Sequence, residues 1–543
     1  MTRNHLHVTG RSVAAAAITA SLVTTLGCGF IGRAGSGETR TISASTEEDV
    51  VCEDAKVTSD GLYATTESLS PEEGLDPFNT EEYDSLEEQG FVAALTRPLS
   101  TVSADVDTAS YCNLRRMLND GWSAEEIDSG AVRIEEMLNY FDYDYAAPAD
   151  GSLFGTTVHV GDCPWNDQTK LVTLGFATAP EAASIAEKGS NLVFLIDISG
   201  SMDEPDKLDL LKDAFDELVS HLGENDRVSI VTYAGGEDVV LEGAKGTEGR
   251  KIMRAINRLR ADGSTNGEAG LKMAYEVAQR NYIEGGVNRI VMASDGDLNV
   301  GMSSESDLHD YVDEQRETGV YLSVLGFGSG NYKDNKMETL ADHGNGSYHY
   351  IDCIEEAERV LGTKLTANLV PLADDVKVQV EFNPAQVKGY RLIGYENRAM
   401  ADEDFRDDEK DAGDVGPGAQ FTVAYEVALV DSGQPIATSD LKYGDEASGD
   451  KASDEWLTAT IRYQPADGSD TSEQVVTVGK GDLVKDPGED WRFQAAVIEL
   501  GMLLRDSDYA GTASLDEIEG LVGTSGLADE REGFLDLADL ALG

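Results

Sequence analysis

A carboxylate and two hydroxyls alternate along Asp197, Ser199 and Ser201, and hard oxygen donors spaced this closely suit a small, hard cation. They follow the run Asn191-Leu-Val-Phe-Leu-Ile, whose unbroken apolar character predicts a buried parallel strand stopping at Asp197. Gly200 lets the backbone curl so that the three oxygens converge. Two later stretches add donors of the same kind. Gly263-Ser-Thr-Asn-Gly267 places Thr265 in a loop ahead of an amphipathic helix, and Arg289-Ile-Val-Met-Ala-Ser-Asp295 ends a second apolar strand on a carboxylate. Mg²⁺ is the expected ion, with Mn²⁺ or Ca²⁺ as substitutes.

The elements that must position these groups alternate from 190 to 362. Strands are expected at Asn191–Asp197, Arg227–Tyr233, Asn288–Ser294, Gly319–Phe327 and Ser347–Ile351. Helices are expected at Lys207–Leu222, Gly249–Leu259, Gly267–Tyr282, Asp307–Glu317 and Tyr332–Asp342. Such alternation predicts an α/β fold, a doubly wound and mostly parallel sheet covered on both faces. A short strand at Asp238–Glu242 would be its antiparallel member. Open sheets of this kind bind ligands beyond the carboxyl ends of their strands.

With Asp-x-Ser-x-Ser at Asp197–Ser201, then Thr265, then Asp295, the chain resembles the von Willebrand factor type A domain and its metal-ion-dependent adhesion site. The resemblance implies a Rossmann-like fold. It also implies a metal held by Asp197, Ser199, Ser201 and Thr265, directly or through water, with Asp295 orienting a bound water. Mg²⁺ commonly keeps waters, and the resemblance implies that a carboxylate of a protein or other ligand replaces one of them. The phrases Val132-Arg-Ile-Glu-Glu-Met-Leu-Asn-Tyr-Phe141 and Arg391-Leu-Ile-Gly-Tyr-Glu-Asn-Arg398 further resemble the flanks of this domain in the YfbK-like group of bacterial exported proteins.

The rest of the 543 residues divides around that domain. Residues 1–28 carry Arg3 and Arg11, an apolar stretch from Val13 to Val23 and then Thr25-Leu-Gly-Cys28. This pattern predicts a secretory signal with a lipobox, lipidation at Cys28, and a lipid-anchored protein facing the outside or the envelope space. No other stretch is apolar enough to cross a membrane. Residues 29–90 are polar and acidic and are expected to be a disordered tether. Residues 91–185 form an N-terminal flanking region, 365–482 a β-rich, sandwich-like region and 486–543 a helical end. Should strands before 190 and after 365 share one sheet system, the α/β domain would be inserted into a β-sandwich. Lys and Arg total 42 against 102 Asp and Glu, a net charge of −60. A surface of that sign repels phosphate backbones, so nucleic acid is excluded as a partner. Cys52, Cys112, Cys163 and Cys353 remain, with disulfides and free buried thiols both open.

A competing chemistry starts at Asp105-Val-Asp107-Thr108, which matches the nucleophile motif of haloacid dehalogenase-type phosphatases and would make the chain a Mg²⁺-dependent hydrolase or phosphatase. That chemistry needs a buried strand before Asp105, and Leu99–Ala104 looks too polar for one. Local turn and cap hydrogen bonds are the expected role of these side chains. The acidic run Asp402–Asp414 is expected to be a solvated loop rather than a Ca²⁺ site. His343 and His349 are expected on a loop or the far sheet edge, and no Gly-Lys-Ser or Gly-Lys-Thr follows a strand. No catalytic constellation emerges, so a binding or adhesion module is favoured over an enzyme. Assembly of an envelope complex through the same site is the third reading.

Overall fold

Strand β5 (Ser190–Asp197) forms where the apolar run demands it, at the middle of a sheet ordered β10-β9-β8-β5-β6-β7. Its neighbours are β6 (Arg227–Tyr233) and β8 (Val287–Ser294), both parallel to it, followed outward by β9 (Tyr321–Phe327) and β10 (Tyr348–Ile351). As the sequence predicts, the antiparallel member is β7 (Glu237–Lys245) on the opposite edge. Pleating sends Leu192, Phe194 and Ile196 to one face, where they meet Leu211 and Phe215 of α3 (Leu210–His221) and Ile252 of α4 (Gly249–Ile256). Val193 and Leu195 go to the other face, against Leu271 and Ala274 of α5 (Gly267–Arg280). Helices α6 (Glu305–Arg316) and α7 (Asp334–His343) complete that second layer. Each such fully buried aliphatic contributes roughly 1.5–3 kcal/mol. This is the expected doubly wound domain.

In this computed structural model the described residues are 81–543, apart from 150, 181–187, 297–304, 331, 409, 438–452, 467 and 524–526; of 305–307 only the backbone is described. The signal segment, Cys28 and Cys52 lie outside them.

Around the α/β domain stands a β-sandwich built from both sides of the insertion. The strands that precede it are β1 (Val92–Ala93), β2 (Leu99–Ser103), β3 (Phe154–Asp162) and β4 (Lys170–Thr178). Those that follow are β11 (Ala373–Phe382), β12 (Val387–Ile393), β13 (Ala399–Met400), β14 (Gly413–Val415), β15 (Gln420–Leu429), β16 (Glu455–Pro465) and β17 (Ser472–Gly479). One sheet runs β1-β12-β15-β4-β3, the other β13-β2-β11-β16-β17, with β14 on β11. Their inner faces share a core that includes Leu174, Phe176, Val380, Tyr390, Phe421 and Tyr425. Within its sheet β3 pairs only with β4, and one bridge joins Val160 to Leu483. The long-range joints are β4 to β15 and β2 to β11.

Three expectations are corrected. Leu99–Ser103, judged too polar for a strand, sits inside its sheet because its hydroxyls are paired: Thr101 donates to Asp402 Oδ1 at 3.0 Å and accepts from Gln379 Nε2 at 2.9 Å. The expected helical end, 486–543, is divided among the described residues into Glu489–Leu504, Leu515–Val522 and Asp529–Leu542. The last part of the expected tether, 81–90, is docked, because its acids find basic partners: Glu81 pairs with Arg116, Glu82 with Lys333 and Glu88 with Arg391.

The seam between sandwich and α/β domain is charged and buried. Ahead of the short helix α2 (Ile134–Asn139), Arg133 pairs with Glu136 and reaches Asp334 at 2.6 Å and Glu338 at 3.3 Å on α7. Arg398, beyond β12, holds Asp342 at 2.5 Å, Asp107 at 3.2 Å and Glu338 at 3.6 Å. Helix α7 is thus gripped from outside its own domain.

Candidate metal centre

The carboxyl end of β5 delivers Asp197 into a fully buried position, where its Oδ1 accepts the Ser199 backbone N–H at 2.7 Å. That bond folds the turn back and brings the hydroxyls of Ser199 and Ser201 within 3.0 Å of each other. Ser199 is buried and Ser201 half-buried, so the pair opens outward on one side. The second loop is stitched to this turn by its backbone: Gly200 N–H donates to Gly263 O at 3.1 Å and Asp262 N–H to Ile198 O at 2.8 Å. Thr265, half-buried, follows two residues after Gly263 on that loop. The third contributor arrives through strand register. Ile196 lies opposite Ala293 on β8, and Ser294 Oγ donates to Asp197 Oδ2 at 3.4 Å. Asp295 therefore stands beside Asp197, itself buried. The fold brings Asp197, Ser199, Ser201 and Asp295 together, and joins the loop that carries Thr265 to their turn.

Burial pushes the Asp197 carboxyl up to about 6, against the hydrogen bonds from Ser199, and the neighbouring Asp295 charge adds to the rise. A carboxylate taken out of water beside a second one is short of positive charge. A lining of hydroxyl and carboxylate oxygens is also the donor chemistry a hard divalent ion requires. The residues present therefore fit a hard divalent ion.

Sequence reasoning missed the third charged group. Amphipathic spacing predicts a helix over Lys207–Leu222, whereas the regular helix begins at Leu210 and the preceding turn, Pro205–Asp209, is irregular at Lys207. Its side chain turns inward, 6 % exposed, and places Nζ 3.1 Å from Asp295 Oδ2. A signal was available: a lysine ahead of the first turn of a helix opposes the helix dipole, which leaves its position to be explained by something else. Ser294, which also accepts the Gly296 N–H at 3.1 Å, and Tyr233, opposite Asp197 on β6, are further neighbours that no motif marks.

The other singled-out residues lie elsewhere. Asp105 and Asp107 are buried at the seam. Asp105 Oδ1 accepts the Asp107 N–H at 2.9 Å, in the local turn the sequence suggested, while Asp107 Oδ1 accepts the Tyr348 N–H at 2.9 Å and Oδ2 accepts from Arg398. Thr108 contacts His349 Nδ1 and Arg359 instead of capping the helix that follows it, α1 (Ala109–Asn119). His349 is buried on β10, at the sheet edge opposite β7, and burial holds its imidazole down to about 3. His343, at the end of α7, pairs with Asp313 at 2.9 Å. The run Asp402–Asp414 is more than a solvated loop, since Asp408 holds Arg462 at 2.7 Å and Asp411 holds Arg316. Among the described residues no three His, Cys, Asp or Glu side chains are arranged to hold an ion. Cys112, Cys163 and Cys353 are free thiols, and no described helix is long and apolar enough to cross a membrane.

Sheet order, covered faces and the rim of oxygens define a von Willebrand factor type A domain protein, and residues 191–360 match the family profile described as von Willebrand factor type A domain. Residues 77–173 match a profile described as von Willebrand factor, and 367–542 match one described as "Uncharacterized protein YfbK, C-terminal". The protein YfbK of Escherichia coli (strain K12) is 40 % identical over 451 residues, covering 81 % of this chain and 77 % of that one. The chain belongs to the YfbK family. The protein sll0103 of Synechocystis is 27 % identical over 309 residues, 53 % of this chain and 71 % of that one. Among solved structures, a von Willebrand factor type A protein from Catenulispora acidiphila aligns over 73 % of this chain and 91 % of that one at 15 % identity, with a TM-score of 0.40.

Proposed function

We propose that the protein is a metal-dependent binding module that captures a carboxylate-bearing protein ligand, and that it is exported and anchored to the bacterial membrane through lipidated Cys28. The observation that carries this reading is the convergence of Asp197, Ser199, Ser201, the Thr265 loop and Asp295 at the carboxyl ends of β5 and β8. Mg²⁺ held there would supply an electrophilic position for the ligand's Asp or Glu side chain. Asp197 anchors the donor set from its buried strand end, the two serines and Thr265 add uncharged oxygens, and Asp295 orients a water. Beside the rim runs a groove of about 480 Å³ lined by Glu204, Pro205, Leu208, Lys212, Arg260 and Ala261, which offers room for the residues flanking the ligand's acid. Docking an envelope protein for assembly would use the same surface.

Titration calorimetry of the full chain with Mn²⁺ tests the metal, with one-site uptake expected and lost in Asp197→Ala. Affinity capture from envelope extracts in Mg²⁺, with EDTA and the same variant as controls, tests the ligand. Equal uptake by wild type and variant sinks the proposal.

A further inference from the structure

Burying a lysine costs free energy unless its charge is paired, and Lys207 occupies a position built to hold it. Its Nζ lies 3.1 Å from Asp295 Oδ2. Its aliphatic chain passes over Gly328, where φ is +75° and a methyl group would overlap Lys207 Cγ, Cδ and Cε. The corner is fixed by the Tyr350 hydroxyl, which donates to Gly328 O at 2.7 Å. The bare backbone at 328 leaves room for the chain that brings the ammonium to Asp295.

We infer that Lys207 sets the charge of this site and thereby makes it selective for anionic ligands. The inference rests on the metal-binding reading above. Two carboxylates would cancel a divalent ion, the remaining donors are neutral hydroxyls, and Lys207, paired with Asp295, makes this donor set more positive by one charge than it would be without the lysine. A carboxylate ligand restores neutrality at the rim, which a neutral ligand cannot do. The molecule's net charge of −60 repels acidic ligands from afar, but at physiological salt that field is screened beyond about 8 Å. At contact the local excess decides. The same ammonium weakens metal uptake, so Lys207 exchanges ion affinity for ligand affinity.

The two affinities must therefore move in opposite directions when the charge is removed. Lys207→Met keeps most of the buried chain. Calorimetry should show it taking up Mn²⁺ more tightly than wild type, on the order of tenfold for one unit charge a few ångströms away. Acetate, followed through water-proton relaxation of the Mn²⁺-loaded protein, should bind it about tenfold more weakly. Gly328→Ala, which crowds the lysine off Asp295, should shift both in the same senses, and Lys207→Gln serves if the methionine variant does not fold. Unchanged affinities, or a parallel loss of both, overturn the inference while leaving the metal reading intact. Absence of Mn²⁺ uptake by wild type overturns both.

Discussion

Glu499 shows what burial does to one carboxyl. It lies on α10 (Glu489–Leu504) with its residue fully buried, and burial, reinforced by the Glu517 charge, pushes it up to about 8 from an ordinary 4.5. A folded-state value above the unfolded one means that its stabilising contribution is complete below pH 4.5 and is lost as pH rises through 8. Glu499→Gln removes that loss. Urea unfolding should find the variant near wild type at pH 5 and more stable by on the order of 3 kcal/mol at pH 8.5. A difference independent of pH would show that the carboxyl is not being held protonated. His349 works in the opposite sense: held near 3, it stays neutral in the fold, and its contribution is present above pH 6.5 and lost as pH falls toward 3.

At the scale of elements, α7 matters because two arginines from outside its domain hold it. Arg398 alone touches Asp342, Glu338, Asp107 and Asp105, within 2.5 to 3.8 Å. Removing one member of a buried charged network leaves the others uncompensated, at a cost of about 3–5 kcal/mol. Arg398→Met should lose that much in denaturant unfolding and should expose the α/β domain to limited proteolysis at its junctions with the sandwich. A variant as stable and as resistant as wild type would reduce the seam to incidental contact. None of this grip was legible in the sequence, which reports periodicity along the chain and carries no mark of pairing across it. Asn191–Asp197 and Arg289–Asp295 were legible because a strand buried on both faces must be apolar throughout, so the donors at their ends stood out. Leu99–Ser103 was misjudged because its polar side chains are satisfied by Asp402 and Gln379, about three hundred positions away. Lys207 was misplaced because amphipathic spacing fits a helix start as well as it fits a turn, and only Gly328, far along the chain, shows where the side chain goes.

For the whole molecule, the net charge of −60 and the buried carboxyls act together but respond to different variables. Burial, as the first cause in each case, lifts Glu135 and Glu338 to about 7 and Asp374 to about 6. Like Glu499, these groups favour the fold increasingly as pH falls from 8 to about 6.5, where the unfolded chain binds fewer protons than the native one. Surface acids stay ionised across this range, since their ordinary values are about 4, but their summed negative field favours protonation of the buried groups and so adds to the same rise. Added salt separates the two contributions, because it screens exposed charges far more than buried ones. In EDTA, to keep divalent ions out, the melting temperature should be higher at pH 6.5 than at pH 8. Raising NaCl from about 20 mM to about 500 mM, which shortens the screening length several-fold, should narrow that gap without closing it. A gap that vanished in salt would assign the whole effect to the surface. A gap that salt left untouched would assign it to Glu135, Glu338, Asp374 and Glu499, and the surface acidity would then contribute nothing to the pH response of the fold.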